Sequence, residues 1–554
     1  MTLQWWQKEI GYQIYPRSFK DTNNDGLGDL PGIIAKLPYL QHLGIGFICL
    51  APIYPSPNID NGYDVSDFTA IADSYGTMVD FELLLAELHK KQMHLVMDLV
   101  INHTSDQHQW FQQARSSRNN PYHDYYIWRD AKNGVPNNWQ SILGGSAWEY
   151  NAATDEYYLH LYTKHQPDLN WENPQVRNEI KKIITFWTNK GVDGFHLACA
   201  IYIKKLQTFA NVDNMDDAYR DVDGIEVFLD ELTATFHKLN VAVIGGAMNL
   251  APAHAQKWFG NHGYFDLMFQ FEHTALWQDT QRSQLSIPAL KQILVRWQNT
   301  FVKYGWNALF TENHDLPRSV SIYGSDRHYW LESAKCLAAC YFLMRGTPFI
   351  YQGQELGMTN AHFNNINEFR DAETIAIYHQ KIAAGMQPNE ALAYIDRYSR
   401  DNARTPMQWN HTSKAGFTQG QPWININTNA AAINVTDQLN DESSIFNFYR
   451  TLIHLRKQHP VLINGAFRLI DTNEPSVYAY YRWNAAECFI VVANLSHKTA
   501  EFSFPEQFNH DLKRLVLGNY VFHSEFMVAY EKNLLLQPYE VAIYQMMPAA
   551  KYTL

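Results

Sequence analysis

Polar side chains with chemical capacity recur in this sequence just after short apolar runs. HLVMDLVINH, from His94, carries Asp98 and ends on Asn102 and His103, and NALFTENHD, from Asn307, delivers His314 and Asp315. Carboxylates and imidazoles so placed can hold a polar ligand or exchange protons with it. A different chemistry is written in DTNNDGLGD. Asp21, Asn23, Asp25, Leu27 and Asp29 fall at alternate positions with a glycine after the third, as in the first nine positions of a calcium loop. The acidic residue that normally closes such a loop is absent. Oxygen donors so spaced suit a hard divalent cation, and nothing in the sequence calls for an organic cofactor.

The elements that must position these groups form a repeat. Eight apolar runs lie near residues 12, 47, 94, 191, 241, 264, 307 and 346, and most are separated by amphipathic stretches such as MVDFELLLAELHKKQ from Met78. Strands alternating with helices pair in parallel, and eight such units predict a closed (β/α)8 TIM barrel. Barrels place their sites at the C-terminal ends of the strands, where the residues above stand. Residues 104–170, rich in Trp, Tyr, Asn and Pro, are too many for a plain loop and predict an inserted domain B after the third strand. From residue 466 the pattern turns to short alternating segments such as VYAYYRW and CFIVVANLS, which predict a C-terminal antiparallel β-sandwich over 466–554. The barrel is then assigned to 1–103 and 171–465.

Composition excludes several classes. A net charge of -12 arises from acids spread along the chain, which supports solubility and argues against a nucleic-acid partner. No run approaches the ~20 apolar residues that a membrane-spanning helix needs, and the N-terminus lacks the pattern of a signal peptide. Five cysteines at irregular spacings argue against a disulfide framework and for a cytoplasmic setting. Cys336 and Cys340, one helical turn apart, read as buried apolar residues.

Five longer motifs carry a family resemblance: DLVINHTSDQHQWF from 98, QPDLNWENPQV from 166, ENHDLPR from 312, GTPFIYQGQELGMTN from 346 and SRDNARTPMQW from 399. They resemble oligo-1,6-glucosidases, dextran glucosidases and α-glucosidases of glycoside hydrolase family 13, over nearly the whole chain. The resemblance implies a retaining mechanism, in which one carboxylate attacks the anomeric carbon and another protonates the leaving oxygen, the two about 5–5.5 Å apart. It implies the nucleophile in a GFRMDVIN-like stretch and the acid/base in a GEMPG-like one. Here these read GFHLACAI from Gly194 and GGAMNLA from Gly245, which puts Ala198 at the nucleophile, His196 at the accompanying arginine and Ala247 at the acid/base. Of three catalytic carboxylates only Asp315 remains, in a role that binds and distorts the sugar. Alanine at both positions could be natural loss or deliberate replacement, and Cys199, Ala200, Ile201, Gly246, Asn249 and Leu250, which also depart from the pattern, favour natural loss. Cys199 replaces the residue that separates α-1,6 from α-1,4 preference, so that preference is not legible.

The resemblance also implies a structural Ca2+ or Mg2+ in the loop from Asp21 and a sugar-binding shell of Tyr63, Asp64, His103, Gln166, His196, His314, Asp315 and Arg404. His196 carries two readings, a hold on a sugar hydroxyl or charged ligand, and drift after the carboxylate was lost. The expectation is a protein that binds glucose or short α-glucosides with little or no turnover, as a sensor, a buffer or the partner of an active paralogue. Two rivals are an active α-glucosidase with a non-standard acid, for which Asp193, Glu226 and Glu231 are the nearby acids, and a non-catalytic scaffold for another protein.

Overall fold

In the computed structural model, residues 3–247, 250, 252–259, 263–278, 286–470, 474–508, 512–520, 528–529 and 532–547 are described. Eight parallel strands close a barrel: β1 (Gly11–Ile14), β2 (Phe47–Leu50), β3 (His94–Val100), β4 (Gly194–Ala198), β5 (Ala242–Ala247), β6 (Leu267–Gln270), β7 (Asn307–Leu309) and β8 (Thr347–Tyr351). Each strand pairs with its sequence neighbours and β8 returns to β1. The pairing aligns Asp98 with His196, Val100 with Ala198, Leu197 with Gly245 and Ala247 with Gln270, so the ends of β3 to β6 meet at one rim.

Local chemistry sets the helices that ring the strands. Asp29 accepts the Gly32 amide at 2.7 Å and starts helix Leu30–Leu43, which Gly44 ends at φ 102°, a left-handed conformation that glycine adopts without steric cost. Thr77 and Asp80 form a reciprocal capping box on helix Met78–Lys90. Asn173 caps helix Pro174–Lys190, with proline at the first position, where its missing amide hydrogen is not needed.

Between β3 and β4 the chain carries a three-stranded antiparallel sheet of Trp128–Asp130, Glu156–Leu159 and Trp148–Asn151. Its return to the barrel is fixed by a buried ion pair, Lys205 Nζ to Asp168 at 2.7 Å, and the same ammonium donates to Asn102 Oδ1 at 2.8 Å. The C-terminal part holds a six-stranded antiparallel sheet and a two-stranded one, Ala500–Ser503 with Asn533–Leu536. Val477, Ile490, Phe502 and Leu536 share an apolar core between the two sheets. Arg456 and Arg482, both fully buried, bind it to the barrel by donating to main-chain carbonyls of residues 342–346 and 462–466.

Candidate functional site

A continuous chain of polar contacts crosses the rim above β3, β4 and β7. Asp98, 2% exposed, accepts the Tyr63 hydroxyl at 2.7 Å and stands 3.0 Å from His196 Nδ1. The Tyr63 oxygen lies 2.8 Å from His314 Nε2, which in turn lies 3.3 Å from Asp315 Oδ2. The His314 ring is nearly parallel to both Tyr63 and Tyr15, with interplanar angles of 8° and 4°. Asp315 then receives Arg404 at 2.8 Å and Arg400 at 3.4 Å. Burial would raise the Asp315 carboxyl, but His314, Arg400 and Arg404 outweigh it and hold the group well below the ordinary carboxylate range. It stays ionised, and its side chain remains 42% exposed toward the rim.

The arginines are themselves anchored. Asp371 accepts from Arg400 at 2.7 Å and from Arg404 at 3.2 Å, and Arg404 Nε donates to the His314 carbonyl at 3.0 Å. Arg400 also stands 3.9 Å from Asp60 and 3.2 Å from Glu373. A cavity of about 340 Å³ opens beside Asp315, lined by Arg400, Glu373, Thr374, Tyr394 and Tyr398. Carboxylates and guanidinium groups beside aromatic rings are what vicinal hydroxyls and a sugar face require.

Sequence reasoning and geometry part company at Asp64. Its side chain is fully buried, and its oxygens accept Ser56 Oγ at 2.8 Å and the amides of Ile59 and Asp60 at 2.9 and 3.1 Å. These bonds engage both carboxylate oxygens within the residue's own loop, which favours a structural role over the expected hold on a sugar. The acid of this stretch that joins the Arg400 cluster is Asp60, which accepts Gln166 at 2.9 Å and lies 3.9 Å from Arg400. Burial raises its carboxyl to about 6, against the lowering effect of Arg400 and Gln166. Asp60 sits in the same DNGYD stretch, and the four-residue offset is the signal that reading the motif by type alone overlooked. Arg400, four residues before Arg404, was overlooked likewise.

The other predicted shell residues converge. His103 is buried, with Nε2 3.2 Å from the Tyr63 carbonyl oxygen and 3.2 Å from the Gln166 amide nitrogen. Burial lowers its imidazole to about 4, so it is neutral. Tyr63, Gln166, His196, His314, Asp315 and Arg404 join it through the contacts above. Ala198 closes β4 and is 8% exposed, while Ala247 is the last residue of β5. Asn249 lies outside the described residues. Cys199, at φ 63°, puts its thiol 2.9 Å from the Tyr162 hydroxyl, and burial raises that thiol to about 12.

The three nearby acids are engaged elsewhere. Asp193 precedes β4 at the opposite end of the strand and is held by His89 and His94, each at 3.0 Å. Glu226 pairs with Lys257, and Glu231 with Arg177 and Lys181.

In the loop from Asp21, the donor types suit a hard divalent cation. As arranged, Asp21 accepts the amides of Asn24 and Gly26, Asp25 accepts that of Leu27, Asn23 donates to Asp25, and Asp29 accepts from Thr22 and caps a helix. Among the described residues no three His, Cys, Asp or Glu side chains converge on one point. In this arrangement the loop's own amides and side chains engage the oxygens that a cation would draw on.

A family model described as alpha amylase, catalytic domain, matches residues 13–465, the barrel with its insertion. The chain belongs to the alpha-amylase family. Membership in this family, glycoside hydrolase family 13, agrees with both barrel and pocket. The oligo-1,6-glucosidase of Parageobacillus thermoglucosidasius is 43% identical over 565 residues, covering 98% of this chain and 99% of that protein. The solved trehalose-6-phosphate hydrolase of Bacillus licheniformis is 41% identical with a TM-score of 0.92, covering 98% and 99%. The isomaltulose synthase of Erwinia rhapontici NX5 is 39% identical with a TM-score of 0.95, covering 99% and 100%. Among the described residues no helix is long and apolar enough to cross a membrane.

Proposed function

We propose that this member of the alpha-amylase family holds glucose or a short α-glucoside and does not hydrolyse it at an enzyme's rate. One observation carries the reading: the strands that should end on the two reacting carboxylates end on Ala198 and Ala247. A methyl group can neither form a glycosyl ester nor donate a proton. Losing an essential catalytic group costs on the order of 10^4-fold or more. The contacts that occupy Asp193, Glu226 and Glu231 speak against a neighbouring acid taking over.

The pocket that remains supports binding. Asp60, Asp315, Arg400 and Arg404 offer charged hydrogen-bonding groups, and Tyr63 offers a ring. In a cytoplasmic setting such a protein would serve as a sensor, a buffer or the partner of an active paralogue. Calcium or magnesium in the loop from Asp21 would add stability and take no part in the pocket.

Hydrolysis of isomaltose and of an aryl α-glucoside tests the reading, with the native protein beside the variant His196→Arg, Ala198→Asp, Ala247→Glu. We expect a silent native protein and turnover in the variant. Ordinary turnover by the native protein would overturn the proposal.

A further inference from the structure

The charges around the cavity beside Asp315 do not balance. Arg400 turns every nitrogen to a carboxylate: Nε and Nη2 to Asp371 at 3.0 and 2.7 Å, Nε also to Glu373 at 3.2 Å, and Nη1 to Asp315 at 3.4 Å. Arg404, 1% exposed, spends its three nitrogens on the His314 carbonyl, Asp371 and Asp315. Both guanidinium groups are thus engaged by the protein itself, and little of either is left for a ligand anion. The carboxylates are less fully used. The Glu373 side chain is 37% exposed, and among the described residues its contact is the one from Arg400 to Oε2, which leaves Oε1 open. The Asp315 side chain is 42% exposed, and its Oδ2 has the 3.3 Å approach of His314 Nε2 alone. Four carboxylates, Asp60, Asp315, Asp371 and Glu373, face two guanidinium groups here, and three remain even when Asp60 holds a proton.

Which part of a ligand meets this excess follows from the lining. Asp315 and Arg400 border the cavity, whereas Tyr63, His103, Gln166 and His314 do not. A glucosyl unit held by those inner groups therefore turns its substituent toward the cavity, and about 340 Å³ has room for one. The lining also includes Tyr394 and Tyr398, with ring centres 5.2 Å apart and planes at 60°. The face of such a ring attracts an ammonium group. Lys381, which does not line the cavity, already places its Nζ 3.7 Å from the Tyr394 ring centre. We propose that the cavity takes a positively charged substituent, so that the preferred ligand is an α-glucoside carrying an ammonium group and sugar phosphates and sugar acids are turned away. An ammonium brings three donors to acceptor-only oxygens such as Glu373 Oε1, in charge-assisted hydrogen bonds. A phosphate or carboxylate brings a like charge to carboxylates whose cations are spent. The inference rests on the reading that the pocket holds a glucosyl unit, and it names the chemical class of what is joined to that unit.

Three probes share one glucosyl unit and differ in the charge of what it carries: 2-aminoethyl, 2-hydroxyethyl and carboxymethyl α-D-glucopyranoside. In calorimetric titration of the full chain at neutral pH and low salt, the aminoethyl glucoside should bind about 10-fold more tightly than the hydroxyethyl one, the scale of one hydrogen bond to a charged group. The carboxymethyl glucoside should bind about 10-fold more weakly than the hydroxyethyl one. Salt at about 0.5 M should narrow both gaps, because the groups concerned are partly exposed. In Glu373→Gln the advantage of the aminoethyl over the hydroxyethyl glucoside should shrink to about threefold or less. If that variant does not fold, the three-probe comparison on the native chain still decides. An aminoethyl glucoside bound no more tightly than the other two overturns the inference and leaves the binding role standing. Failure of all three to bind overturns both.

Discussion

Asp98 and His196 are register partners on adjacent barrel strands, and the Asp98 carboxylate accepts at once the imidazole proton of His196 at 3.0 Å and the hydroxyl of Tyr63 at 2.7 Å. Both oxygens of a 2% exposed acid are thereby matched. Asp98→Ala leaves two largely buried donors unmatched, at about 1–3 kcal/mol each before relaxation. We expect a loss of about 2–4 kcal/mol in unfolding free energy by urea denaturation. Asp98→Asn should lose less, because its amide oxygen still accepts one of the two. An alanine variant as stable as the parent would mean that the contacts do not form.

Asp60 and Asp64 should separate binding from stability. Asp64→Ala strips acceptors from Ser56 Oγ and two backbone amides, so about 1–3 kcal/mol of stability should go. Asp60→Ala removes the acid beside Arg400 and Gln166 and should weaken glucose binding at least about tenfold, with a smaller thermal cost. Calorimetry and thermal melts on both variants check this. The opposite pattern, binding lost with Asp64 and kept without Asp60, would return Asp64 to the shell.

Strand and barrel were legible because each apolar run had the length of one strand and amphipathic stretches, several opened by a side-chain cap, separate most of them. All eight runs became barrel strands, although β7 is only Asn307–Leu309 and the chemistry of ENHD sits in the loop after it. The polar cluster was legible where a motif places residues just beyond a strand, as with His314 and Asp315 after β7. It was not legible where a side chain chooses between partners: Asp64 and Asp60 share charge and stretch, and only the turn through Ser56, Ile59 and Asp60 decides which one faces inward. Arg400 escaped notice for the same reason, since its value lies in a long reach to Asp371, Asp315 and Glu373 that spacing does not encode.

The loop from Asp21 makes a prediction of its own. Asp21, Asn23 and Asp25 carry oxygen donors that a hard cation can draw from their present amide partners. Any cation that binds the folded chain alone stabilises it by mass action. Millimolar Ca2+ should raise the melting temperature by a few degrees over the EDTA-treated protein, and Asp25→Ala should remove the increment while leaving glucose affinity unchanged. Identical melts with calcium and with EDTA would leave the hydrogen-bonded loop as the whole account.

Two buried acids should leave opposite marks on stability against pH. Burial raises the Asp371 carboxyl, but Arg400 and Arg404 lower it further, to about 2. A depressed folded value contributes stability that is present above the unfolded value near pH 4 and is lost as the pH falls toward 2. Asp60 runs the other way. Its folded value of about 6 means that the native state binds the extra proton between about pH 4 and 6, so its contribution weakens as the pH rises through that window. Urea unfolding from pH 2.5 to 7 should therefore show a steep loss below about pH 4 that Asp371→Asn flattens, together with lower stability at neutral pH, because Arg400 and Arg404 each lose one of their carboxylate partners. In Asp60→Asn the decline between about pH 4 and 6 should vanish and stability at pH 7 should rise, because a neutral amide replaces a charge held out of water. If Asp60→Asn is instead less stable at pH 7, the pairing with Arg400 outweighs the cost of burial, and the carboxylate is charged in the empty pocket.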